Sequence, residues 1–236
     1  MIIDAQKEPL PSEDPLGILL LDTNVPYLPG DIGNAETFSF PVAYKKAAGV
    51  TVQSMFDNNH WAYTKILKTS QDLIQESGVK AITGNCGYFQ LFQEELARDV
   101  SVPVFLSSLL QLPLLKKLTS GPVGIITAES SRMNENFLRS LDFPFSQARI
   151  IGMENKRHFR ETAIKESGFL DSEEVKRELL EVVEEQQTTS PDLSIILLEC
   201  SLLSPYAKAV HEKTKLPVFD YLTLINFIHA SVVKKT

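Results

Sequence analysis

The feature that most limits what this chain can fold into is a unit that occurs twice. Residues 79–105, VKAITGNCGYFQLFQEELARDVSVPVF, and residues 193–219, LSIILLECSLLSPYAKAVHEKTKLPVF, align at a shift of 114. At that shift Ile82 falls on Ile196, Cys86 on Cys200, Pro103 on Pro217, Val104 on Val218 and Phe105 on Phe219. Each copy reads as a short apolar strand, a cysteine, a helical stretch and a Pro-Val-Phe strand. The interval from cysteine to proline is 17 residues in both. A weaker echo opens each half, where Gly17 in LGILLL corresponds to Gly124 in VGIITA.

Strand-like runs recur along the rest of the chain: Leu16 to Leu21, Val79 to Thr83, Val102 to Phe105, Val123 to Ala128, Ala148 to Gly152, Leu193 to Leu198 and Leu216 to Phe219. Amphipathic stretches lie between them. The pattern predicts a helix over 60–77, with Tyr63, Ile66, Leu67, Leu73 and Ile74 on one face and Gly78 as its stop. A second helix opens at Asp171 with Glu174 three residues on, and carries Val175, Leu179, Val182 and Val183 as its stripe. Continuous apolar strands alternating with helices imply parallel sheets covered on both faces. The expected class is α/β: two pseudo-symmetric three-layer lobes with mainly parallel sheets, and an active site in the cleft between them. The expected division is a flexible lead-in over 1–15, a first lobe from 16–115 plus 218–236, and a second lobe over 116–217. The segment from Asp22 to Val42 has too many prolines and glycines for regular structure, and loops of that length in compact domains commonly carry binding.

Composition narrows the function classes. The formal net charge is −7 and the basic residues are scattered, so no basic stripe marks a nucleic-acid footprint. The longest apolar stretch, Val102 to Leu115, is too short for a membrane span and contains Pro103, Gln111 and Pro113. The N-terminal residues lack the basic and apolar regions of a signal peptide, so the expected location is cytoplasmic with no membrane partner. Two cysteines do not make a disulfide framework. His60, His158, His211 and His229 have no metal-ligand spacing, so no metal site is expected. The Lys156, Arg157, His158, Arg160 cluster reads as a solvated helix face before it reads as a carboxylate site. The two glycines of PGDIGN lack the strand and helix a phosphate loop needs.

The cysteines are the candidate chemistry. A single cysteine is usually a packing residue, but here both occupy the carboxyl end of a strand, where open α/β sheets place ligands. A thiol at a helix start meets unpaired N–H groups and a positive dipole end, which favours thiolate. Cys86 and Cys200 on opposite sides of one substrate carbon would take a proton from one face and return it to the other. Gly87 exposes its backbone N–H, and Thr83, Asn85, Thr127 and Ser201 offer donors to a carboxylate whose oxygens gain charge as the proton leaves.

The stretches GILLLDTNVPYLPGDIGNAETFSFPV, AITGNCGYFQLFQEELARDVSVPVFLSSLLQLPLL and LLECSLLSPYAKAVHEKTKLPVFDYLTLINFI together resemble the aspartate/glutamate racemase family, within the wider group that includes hydantoin racemases. The resemblance runs from about Leu16 to about Ile228 and is most specific at the Cys-Gly and Glu-Cys-Ser neighbourhoods. It implies a racemase or epimerase of amino acids or their derivatives, with no pyridoxal phosphate or other cofactor. Cys86 and Cys200 would be its acid/base pair, its substrate a small carboxylate or amino-acid-like molecule, and its assembly a dimer or larger. Where glutamate racemases have Asp-Ser-Gly after the first strand, this chain has Asp22-Thr23-Asn24, so Asn24 joins the expected substrate-binding residues. Leu202 stands where they have histidine, and Ser201 where threonine is frequent. These departures argue against a peptidoglycan-type glutamate racemase and leave the substrate open. Two other readings share the architecture: a lyase or isomerase, such as a malonate-type decarboxylase or a cis-trans isomerase, and a binding protein without turnover.

Overall fold

The computed structural model describes residues 15–233; the expected lead-in over 1–15 lies almost wholly outside them. Its described residues divide into two compact units, one of 15–23, 27–107 and 222–233, the other of 24–26 and 108–221.

In the first unit the run LGILL forms β1 (Leu16–Leu20), the central strand of a parallel sheet. Leu16, Ile18 and Leu19 are buried, because a strand with neighbours on both edges and cover on both faces has no side left for polar residues. On one edge it pairs with β2 (Val42–Lys46), on the other with β3 (Ala81–Gly84). Strand β2 was not among the expected strands: it follows Pro41 and ends in Lys45 and Lys46, which suits a sheet edge and disguises its pattern. Val102–Phe105, expected as a strand, adds only a parallel bridge from Val104 to Ile82.

Between β2 and β3 run α1 (Val52–Asp57) and α2 (Asn59–Ser77), the latter closed by Gly78. Ile66 and Leu73 of the expected apolar face are buried, and Ala62, Thr69 and Ser70 complete it. The hydroxyls of Thr69 and Ser70 donate to the carbonyls of Lys65 and Ile66, which is how two polar side chains enter a core without an unmet donor. After β3 comes a six-residue 3-10 segment and then α3 (Gln93–Asp99).

The second unit opens with α4 (Leu112–Leu118) and repeats the plan. Its central strand β4 (Val123–Thr127) is buried throughout and is followed by α5 (Glu135–Arg139). It pairs in parallel with β5 (Ala148–Gly152) on one edge, beyond which come α6 (Arg157–Phe159) and α7 (Ser172–Thr189). On its other edge lies β6 (Ile195–Leu198), followed by a 3-10 segment, α8 (Ala207–Thr214) and β7 (Val218–Phe219); α9 (Tyr221–Val232), which comes next, belongs to the first unit from residue 222 on. Asp171 caps α7 by accepting from the N–H of Glu174, and Val175, Leu179, Val182 and Val183 are buried as expected. The same helix also buries Glu178, whose two carboxylate oxygens each accept at 2.9 Å from the N–H groups of His158 and Phe159 at the start of α6. Lys156 pairs with Glu181 at 3.0 Å, so this member of the basic cluster is engaged with the acidic side of α7.

The strand orders are β2-β1-β3 and β5-β4-β6-β7. At the shift of 114, β3 falls on β6 residue for residue, and the bridge Ile82 to Val104 falls on the pair Ile196 to Val218. The N–H of Ile82 donates to Pro103 and that of Ile196 to Pro217, both at 2.9 Å. Two sheets of one design account for the repeat.

Candidate active site

Each cysteine sits where the sequence places it, two residues beyond the end of its strand, at the start of a helical segment. Cys86 is the N-terminal cap of the 3-10 segment Gly87–Phe92, and Cys200 that of Ser201–Tyr206. Both have extended backbone, both carbonyls accept from the residue three ahead (Phe89 and Leu203), and both side chains are half-buried with no disulfide. The expected α-helical start is therefore a tighter 3-10 turn. Its dipole is short, so any help to a thiolate comes from nearby N–H groups. The turn after Cys86 folds back so closely that a Cβ on Gly84 would lie 2.5 Å from the Phe89 ring, which fixes glycine at the end of β3.

The residue before each cysteine is the one sequence reasoning undervalued. Asn85 and Glu199 occupy the same place in the two copies, and both are buried. Each donates its N–H to a carbonyl of the central strand, Asn85 to Leu19 at 3.0 Å and Glu199 to Ile126 at 2.8 Å. Each then uses side-chain oxygen to hold a backbone N–H just beyond that strand. Asn85 Oδ1 accepts from Leu21 at 2.9 Å, and the Glu199 carboxyl accepts from Ala128. Leu21 and Ala128 are themselves equivalent, at the shift of 107 that relates Gly17 to Gly124. A polar side chain in each unit thus ties the end of the central strand to the turn that presents the cysteine.

Glu199 also accepts from the Thr127 hydroxyl at 2.8 Å, while its Oε1 has no hydrogen-bond partner among the described residues. Burial pushes this carboxyl up to about 7, against the lowering effect of Thr127 and Ala128. The only sequence signal for it is a glutamate between an apolar run and a cysteine.

The expected carboxylate donors divide between the units. Near Cys86 are Thr83, Asn85 and Gly87; the Thr83 hydroxyl donates to the Phe105 carbonyl at 2.7 Å, which spends its proton on the fold. Near Cys200 are Ser201, buried, and Thr127, whose proton goes to Glu199. Asn24 is exposed, grouped with the second unit, and its N–H faces Glu166 Oε2 at 3.4 Å. The long loop after β1 is ordered by its own polar groups. Gly30 N–H donates to Thr37 Oγ1 at 2.9 Å, the Tyr44 hydroxyl to the Ile32 carbonyl at 3.0 Å, and Asn34 Nδ2 to the Tyr27 carbonyl at 2.9 Å.

The fold is similar to that of arylmalonate decarboxylase and of allantoin, aspartate and glutamate racemases. A glycine-to-cysteine mutant of arylmalonate decarboxylase superposes with a TM-score of 0.64 at 14% identity, over 92% of each chain. Allantoin racemase from Klebsiella pneumoniae gives 0.62 at 13% identity, over 93% of this chain and 90% of that one. No family model matches the sequence. Among curated proteins, the dimethylsulfoniopropionate lyase of Durusdinium sp. clade D is 30% identical over 94% of this chain and 78% of its own length. Dimethylsulfoniopropionate lyase 3 of Emiliania huxleyi (strain CCMP1516) is 31% identical over 92% of this chain, which spans 60% of that longer protein. The chain belongs to the dimethylsulfoniopropionate lyase family. That overturns the expectation of an amino-acid racemase or epimerase, and with it the class of isomerase: the relatives are lyases on a racemase-like fold. The lyase alternative was the better reading, although decarboxylation was the example given for it.

Proposed function

We propose that this protein is a lyase that cleaves dimethylsulfoniopropionate to dimethyl sulfide and acrylate. The observation that supports this most is the similarity, across more than nine-tenths of the chain, to a lyase named for that substrate. The fold's chemistry suits the reaction. In the substrate, a sulfonium group sits on the carbon β to a carboxylate. A base removes a proton from the carbon next to the carboxylate, and that electron pair becomes the carbon–carbon double bond. The carbon–sulfur bond breaks, and dimethyl sulfide leaves as a neutral molecule with the bonding pair. The base then releases its proton to water, so one substrate gives acrylate, dimethyl sulfide and a proton.

The proton removed is the one a racemase of this fold would take; a β leaving group turns the same carbanion toward elimination instead of return of the proton. We assign the base to a cysteine thiol, Cys86 in one unit or Cys200 in the other, each with its own neighbours for a carboxylate: Asn85 and Gly87 beside Cys86, and Ser201 beside Cys200. Thiolate is the competent form, since only it accepts a proton. Purified protein with reduced thiols, given dimethylsulfoniopropionate in a sealed vial, is expected to release dimethyl sulfide and acrylate in equal amounts. Headspace chromatography that finds neither above the buffer control overturns the assignment.

A further inference from the structure

The hydroxyl of Tyr27 is held beside Cys86 by a chain of fixed donors. Asn85 Oδ1 accepts from the Leu21 N–H at 2.9 Å, and this sets which end of the amide is oxygen. The other end, Nδ2, then donates to Tyr27 Oη at 2.8 Å. With Oη already accepting, the phenol proton is directed away from Asn85. Thr23 Oγ1, at 3.4 Å, makes only a long contact with it.

The ring is fixed as firmly as its hydroxyl. A Cβ on Gly33 would lie 2.6 Å from the Tyr27 ring, so the loop gives up a side chain at that position to let the ring pass. Asn34 holds the Tyr27 carbonyl, as noted above. Burial raises the phenol to about 12, and negative charge on Asp31 and on Cys86 adds to the rise, so Tyr27 is a neutral donor through the neutral range and an electrostatic neighbour of the thiol.

We propose that Tyr27 donates its phenol hydrogen bond to the substrate carboxylate at Cys86 and stabilises the charge its oxygens gain as the neighbouring proton leaves. The assignment deepens the lyase reading and rests on it for the identity of the substrate. A preorganised donor of this kind acts without reorganisation, because Asn85 and Gly33 have already positioned it.

Tyr27→Phe removes one oxygen and keeps the ring over Gly33. The test that does not depend on turnover compares alkylation of Cys86 by iodoacetate and by iodoacetamide, with peptide mass spectrometry to separate it from Cys200. A donor aimed at a carboxylate speeds the acid reagent over the amide. The iodoacetate to iodoacetamide rate ratio at Cys86 is expected to fall about tenfold in Y27F, the loss of one hydrogen bond to a charged group. In turnover, kcat/KM for dimethylsulfoniopropionate is expected to fall about 100-fold, the loss of one oxyanion donor. An unchanged alkylation ratio overturns the role of Tyr27 whether or not the wild type releases dimethyl sulfide. A lowered ratio in a protein that releases none keeps Tyr27 as a carboxylate donor and overturns the lyase reading alone.

Discussion

Asn85 and Glu199 are the same residue of a duplicated design, each buried one position before its cysteine and each bonded to the backbone just past the central strand of its own sheet. The two copies differ in chemistry. The amide of Asn85 is neutral at every pH, donating on one side and accepting on the other. The carboxyl of Glu199 titrates, and it does so near neutrality because it is buried.

The pH dependence of stability follows from that shift. Glu199 binds its proton more tightly folded than unfolded, so between its ordinary value of 4.5 and about 7 the native state holds more proton. Its contribution is therefore full below the unfolded value and is lost as pH rises through about 7. Glu199→Gln keeps an acceptor for Ala128 and Thr127 without the charge. The wild type is expected to lose up to about 3 kcal/mol relative to E199Q between pH 4.5 and pH 8. Urea unfolding of both proteins across that range checks it; parallel curves show that Glu199 keeps an ordinary pKa.

Asn85→Ala isolates the neutral half of the pair. It leaves the N–H of buried Leu21, just past the end of β1, without its side-chain acceptor. An unmet buried donor of this kind costs about 1–3 kcal/mol. The variant is expected to unfold at lower urea by that amount, while Asn85→Asp, which keeps an oxygen for Leu21, recovers part of it. Equal losses in the two variants would place the effect in packing instead.

How much of this was legible beforehand depends on the residue. The shift of 114 exposed β3, β6, both cysteines and both Pro-Val-Phe stretches, because a repeat multiplies a weak local signal by two. Helix α7 was readable from Asp171 and its apolar spacing, since capping and periodicity are properties of neighbouring residues. Strand β2 was not, as an edge strand with a lysine pair resembles the loop before it. Glu199 and the donor role of Tyr27 escaped for a different reason: what distinguishes them is the partner, Ala128 and Thr127 for one, Asn85 for the other, and those partners are 58 or more residues away. The activity escaped because removal of a proton next to a carboxylate is common to racemisation and elimination, and the step that separates them belongs to the substrate.

Gly84 offers a packing test next to the chemistry. An added Cβ would come 2.5 Å from the Phe89 ring, well inside van der Waals contact, so the 3-10 segment that starts after Cys86 must shift. Gly84→Ala is expected to cost about 1–3 kcal/mol as an overpacked site. It is also expected to lower turnover more than the stability loss explains, because the shift moves the cysteine itself. Thermal unfolding and kcat/KM measured on the same preparation check both halves.

The two thiols are expected to be unequal in an elimination. Return of a proton to the opposite face would need two acid/base groups of equal standing, whereas loss of a β leaving group needs one base and a place for the carboxylate. Cys86→Ala and Cys200→Ala should therefore differ: one abolishes release of dimethyl sulfide, and the other, acting on position alone, lowers it by about 10-fold to 100-fold, the range of a misplaced or missing neighbour. Neither thiol is walled in a disulfide, and both side chains are half-buried, so substitution by alanine leaves no large cavity and the folds should persist. Single-turnover rates for the two variants, with circular dichroism to confirm the fold, decide which thiol is the base. Equal and complete loss in both would show that both are required for the chemical step, and the single-base mechanism would give way to one in which the second thiol also transfers a proton.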